Sequence, residues 1–116
     1  MIDVVFSYRG GAPVGFKVSG HSGLSAEGSD IVCAAVSAMT MLAVNTLESR
    51  LSNGKSSVDR SDNAVTYEAD FSDGFSEALL ETLRGELEQI QNDYPANIRV
   101  REERTQNKSE RNNGNA

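Results

Sequence analysis

Residues 30–54 read DIVCAAVSAMTMLAVNTLESRLSNG, and this stretch decides how the chain is built. Asp30, with Ser29 before it, is a good helix N-cap, and an apolar run follows at once. Ser52-Asn53-Gly54 is a typical helix stop. The spacing predicts one long helix from about Ile31 to about Leu51. Its first four turns are apolar nearly all round, which predicts burial on most sides. The run from Ile31 to Val44 is short for a bilayer span and is interrupted by Ser37 and Thr40, so a buried helix fits it better.

Upstream of this helix the period changes to two. Ile2, Val4, Phe6 and Tyr8 fall on one face, with Asp3, Val5 and Ser7 on the other. Arg9-Gly10-Gly11-Ala12-Pro13 is turn chemistry, and Val14, Phe16 and Val18 then alternate with Gly15, Lys17 and Ser19. The two runs form an antiparallel hairpin. The segment GHSGLSAEGSD, residues 20–30, has no periodicity and contains Gly20, Gly23 and Gly28, so it is expected to be a mobile loop.

Downstream, residues around Val58 suit an edge strand, and Val65, Tyr67, Ala69 and Phe71 alternate with polar neighbours as a further strand. Phe75, Leu79, Leu83, Leu87, Ile90 and Tyr94 recur at three- and four-residue steps, giving an amphipathic helix that starts near Asp73 and ends at Pro95. Ile98 and Val100 make a last short strand. The order β-β-α-β-β-α-β predicts an α+β fold, a mostly antiparallel sheet with two helices packed against it. A single domain of residues 1–104 is expected, followed by a polar, disordered tail, 105–116, that has no large apolar side chain.

The formal net charge of −6 argues against binding nucleic acid or anionic membranes and suits a basic partner, although solubility alone also explains it. One cysteine cannot build an internal disulfide, which points to a reducing cytoplasm, and the N-terminus does not read as a signal peptide.

The chain has one His and one Cys. With Asp30 as N-cap, Cys33 is the third helical residue. It lies near unpaired backbone N–H groups and the positive end of the helix dipole, where a thiol ionises more readily. His21 follows the second strand, and the glycine-rich loop can return the chain so that imidazole and thiol meet. Nucleophile, base and oxyanion donors would then share one small region. The plain alternative makes Cys33 a small hydrophobe in a helix and His21 a solvated loop residue. One Cys and one His lack the companions a metal site needs. Asp30, Cys33 and Ser37 share a helix face. Asp30 either orients His21 or serves only as a cap; Ser37 reads better as a small residue bonding back to its own helix than as a polar contact near the thiol. Gly20, Gly23 and Gly28 are either hinges of a lid or ordinary turn glycines.

These residues resemble a known family. Gly20-His21-Ser22, then Gly28-Ser29-Asp30-Ile31-Val32-Cys33-Ala34-Ala35-Val36-Ser37, is similar to the motif of the bacterial ribosomal-processing cysteine protease (Prp) family, over residues 1 to about 104. The resemblance implies a cytoplasmic cysteine endopeptidase. It would remove a short N-terminal extension from the precursor of large-subunit ribosomal protein twenty-seven, a basic substrate. It also implies Cys33 as nucleophile, His21 as base, Asp30 and Ser37 as further polar positions of the motif, a flexible loop between His and Cys, a homodimer, and no cofactor. Ser22 departs from the alanine common in the family. The competing expectation is a non-catalytic ribosome-assembly module that binds a basic ribosomal protein. A redox-sensing thiol is a third, weakened by the absence of a second Cys to resolve an oxidised one.

Overall fold

The computed structural model describes residues 1–21, 30–50, 54–59 and 64–105. The elements follow the expected order: β1 (Ile2–Arg9), β2 (Ala12–Ser19), α1 (Ile31–Arg50), β3 (Gly54–Asp59), β4 (Ala64–Ala69), α2 (Gly74–Asp93) and β5 (Ile98–Thr105). The strands form one five-stranded sheet in the order β3-β4-β2-β1-β5. Three of the pairings are antiparallel, and β5 lies parallel to β1, so the sheet is mixed.

Hairpin β1–β2 turns through Gly10 and Gly11, with φ of 60° and 85°. Two successive positive φ angles are the two-residue turn whose twist matches a hairpin, and glycine adopts them without steric cost. Pro13 lies inside β2, opposite Tyr8, where the register shifts by a bulge. Alternation then sorts the side chains. Ile2, Val4, Phe6 and Tyr8 join Phe16, Tyr67 and Ile98 in the core beneath both helices. Phe6, Phe16 and Tyr67 form a row across β1, β2 and β4, with ring centroids 5.8 and 6.2 Å apart. Such spacing adds aromatic contact to the area these rings bury.

Helix α2 meets the sheet as an amphipathic helix should, burying Leu80, Leu83 and Leu87. Its N-cap is Asp73 and its C-cap Tyr94. Helix α1 departs from expectation. It buries one face only, through Val32, Val36, Thr40, Ala43, Val44 and Leu47. Ile31, Met41 and Leu42 are 57%, 37% and 68% exposed. The helix is apolar all round, yet the sheet can cover just one side of it. By length and composition it would suffice to cross a membrane; in this fold its buried face is part of the core.

Two strand ends also differ from the sequence reading. β4 stops at Ala69, and Phe71, expected on its apolar face, lies outside it and is 62% exposed. β5 continues through Thr105, one residue into the expected tail, because its pairing with β1 runs over eight positions. The rest of that tail, 106–116, and the loop residues 22–29 lie outside the described residues.

Candidate active site

Register fixes the end of the sheet at which His21 stands. Ser19 at the end of β2 pairs with Asp3 near the start of β1 and with Ala64 at the start of β4. The start of β5 is at this end too, since Ile98 pairs with Ile2 and the Ile2 N–H donates to the Asn97 carbonyl at 2.9 Å. His21 follows Gly20 here. Gly20 has φ +89°, and a Cβ on it would stand 2.4 Å from the Met1 carbonyl oxygen. Only glycine fits that conformation and that approach. The Gly-His pair is therefore a structural unit: the glycine lets β2 leave the sheet against the start of β1, and the exposed His21 comes next.

Asp30 opens α1. Its side-chain Oδ1 accepts the Cys33 N–H at 3.0 Å, and its carbonyl accepts the Ala34 N–H at 3.1 Å. That is N-cap geometry, with Cys33 at the third helical position. The thiol is half-buried and packs against the core, between the buried Val32 and the exposed Ala34. Ser37, one turn further on, is exposed. Asp30 and Cys33 are thus joined by a hydrogen bond, and His21 stands at the end of β2 from which the chain leads to α1. Gly23 and Gly28 lie outside the described residues. Among the described residues no three His, Cys, Asp or Glu side chains group as metal ligands do.

A hollow of about 500 Å³ is lined by Arg9, Lys55, Ser57, Thr66 and Glu68, on the sheet face away from the helices. It is open, and its lining does not include Cys33 or His21.

Sequence reasoning missed two charged clusters. Arg101 reaches Asp3 at 3.0 Å and holds its carboxyl below the usual carboxylate range, with Arg99 adding to the effect. Arg84 of α2 bonds Glu102 of β5 at 2.7 Å and the Tyr8 hydroxyl at 2.9 Å, while Tyr8 donates to Glu81 at 2.7 Å. Both clusters depend on the parallel β1–β5 pairing, which no local pattern reveals. They tie α2 and the edge strand to β1 and do not reach the thiol.

Comparison with known proteins shows which family the chain belongs to. The model of the cysteine protease Prp family matches residues 1–99. The chain belongs to that family. It is therefore a cysteine protease. A crystal structure of the essential ribosomal processing protease Prp from S. aureus, in complex with a covalently linked product peptide, is 25% identical to it. The match covers 89% of this chain and 100% of that one, with a TM-score of 0.80. The S. aureus protease with a substrate peptide matches over the same shares at 24% identity and a TM-score of 0.76. The crystal structure of SMU.848 from Streptococcus mutans is 27% identical, covering 90% of this chain and 96% of that one, with a TM-score of 0.73. A sequence comparison with curated proteins finds no significant match.

Proposed function

We propose that this Prp-family protease removes the N-terminal extension from the precursor of large-subunit ribosomal protein twenty-seven, with Cys33 as nucleophile and His21 as general base and acid. The observation that carries the reading is the Asp30 cap, which sets Cys33 at the third residue of α1. The thiol there stands in the first turn of a 20-residue helix, where backbone N–H groups have no partner within the helix. The S. aureus relative holds a covalently linked product peptide, as a protease with a nucleophilic side chain would.

The reaction then proceeds by acyl transfer. His21 takes the thiol proton, and the thiolate adds to the scissile carbonyl. The resulting imidazolium protonates the departing amine as the carbon–nitrogen bond breaks. Water, deprotonated by the same imidazole, hydrolyses the thioester and restores the thiol. The acidic body suits a basic ribosomal substrate; the last twelve residues carry Lys108, Glu110 and Arg111, so the remainder is one unit more acidic than the whole. The setting is the bacterial cytoplasm, where a lone thiol stays reduced.

The enzyme works as a homodimer. Its natural surface is the bare face of α1, along Ile31, Ala34, Ala38, Met41 and Leu42. Two chains of charge −6 repel wherever acids meet, and between Ile31 and Leu47 this helix has no Asp, Glu, Lys or Arg. A second copy can lie against it without burying an unpaired charge.

The experiment is cleavage of the precursor, read by mass spectrometry. Wild type trims it at one bond, and Cys33→Ala loses on the order of 10⁶ in kcat. Cleavage that survives in Cys33→Ala refutes the reading. His21→Ala slows both cleavage and the alkylation of Cys33 by iodoacetamide.

A further inference from the structure

We infer that Asp30 is a positioning residue that acts through the backbone of Cys33, and that the Cys33 N–H is not a donor to the oxyanion. The inference rests on the protease reading and deepens it. A backbone N–H is one donor. That of Cys33 is already committed to the Asp30 carboxylate at 3.0 Å, a charge-assisted bond of the stronger kind. When thiolate adds to a carbonyl and the oxygen takes up the electron pair, this N–H is directed back at the cap. The oxyanion therefore draws on other donors.

The same bond fixes where the sulfur stands. With its N–H held by Oδ1 of Asp30, and with the Ala34 N–H held by the Asp30 carbonyl at 3.1 Å, the first turn is tied at two successive residues. Val32 anchors the turn from within the core, at 1% exposure. Cα of Cys33 is thus fixed on three sides, which leaves the side-chain torsion as the freedom the thiol retains. A nucleophile held this way spends little entropy on reaching attack geometry.

Helix α2 shows the bond in a purely structural setting. Asp73 accepts the Ser76 N–H at 2.8 Å, and the Ser76 hydroxyl answers by accepting the Asp73 N–H at 2.9 Å. Ser76 is buried and its hydroxyl is spent on the cap. At the equivalent place in α1 stands a half-buried thiol, whose backbone is held by the cap while its side chain remains available for chemistry.

The test compares Asp30→Asn, Asp30→Ser and Asp30→Ala in the full chain. Asn and Ser still cap a helix and Ala does not. Precursor cleavage is measured as kcat and KM, and hydrogen exchange of the Cys33 amide is read by NMR. Asn and Ser should keep kcat within roughly threefold of wild type and keep the amide protected. Ala should lose roughly 3- to 30-fold in kcat, the span that loss of a cap covers, with KM little changed. Its amide should exchange freely. If Asp30 instead orients the imidazole through its charge, Asn falls on the order of 10⁴-fold together with Ala, and the inference is overturned. An Ala variant with full kcat, or an unprotected amide in wild type, overturns it equally. Should Asp30→Ala fail to fold, the Asn and Ser variants still decide the matter. Failure of the protease reading is seen separately, as cleavage that persists in Cys33→Ala.

Discussion

Helices α1 and α2 are each 20 residues long, each opens on an aspartate cap, and both pack on the same side of the sheet. They are otherwise opposites. α2 has Glu77, Glu81, Glu86, Glu88 and Asp93 against the single base Arg84, its outer face is polar, and its cap is closed by Ser76. α1 is uncharged from Ile31 to Leu47, leaves an apolar stripe in solvent, and has a thiol where α2 has its capping hydroxyl. One helix is finished as a piece of structure. The other is left open at two places, its first turn and its outer face.

The largest effects should be the same in both helices. Leu47 of α1 and Leu87 of α2 are both fully buried. Leu47→Ala and Leu87→Ala should each cost about 2–5 kcal/mol in urea unfolding, through lost burial and the cavity left behind. The comparison breaks if Leu47→Ala costs much less, because α1 would then be held by its outer contacts and not by its sheet-facing side.

A smaller effect should separate them. Leu42→Glu puts a charge on the bare stripe of α1, and Thr82→Glu puts one on the polar face of α2. Monomer stability should change by no more than about 0.5 kcal/mol in either. Light scattering should show dimers for wild type and for Thr82→Glu, and monomers for Leu42→Glu. A dimer that survives Leu42→Glu places the interface somewhere other than α1.

Much of this was legible in the sequence, and the exceptions share a cause. Alternation located β1, β2, β4 and β5, three- and four-residue steps located α2, an apolar run between a cap and a stop located α1, and the cap at Asp30 put Cys33 at the third helical position. The family followed from Gly20-His21 and the run from Asp30 to Ser37. What local pattern cannot carry is what lies opposite a given face. The apolar circumference of α1 predicted burial on most sides, but whether a partner covers a helix is a property of the whole fold. Parallel pairing of β5 with β1 joins residues nearly 100 positions apart, so the bond from Arg101 to Asp3 and the link from Arg84 to Tyr8 had no local signature. The eight-residue length of β5, which took in Thr105, came from the same pairing.

The smallest effect concerns acid. The Asp73 carboxyl is held below the usual carboxylate range by the Ser76 backbone N–H first and by the Ser76 side chain next. Asp3 is lowered chiefly by Arg101, and Glu102 chiefly by Arg104 and then by Arg84. A carboxyl whose folded value lies below its unfolded value binds its proton more weakly in the native state. Its contribution to stability is complete above the unfolded value, which is about 4. That contribution is lost as pH falls through the folded value. The urea midpoint should therefore be nearly flat from pH 7 down to about 5 and should fall progressively below about 4. Asp73→Asn isolates the charge, because asparagine still caps the helix. At pH 7 this variant should unfold close to wild type, and below pH 4 its midpoint should fall less steeply. If the two profiles stay parallel through the acid range, the α2 cap contributes through its hydrogen bond alone. The contrast between the two helices would then rest on the open thiol and the bare stripe, with no part played by the closed and charged box of α2.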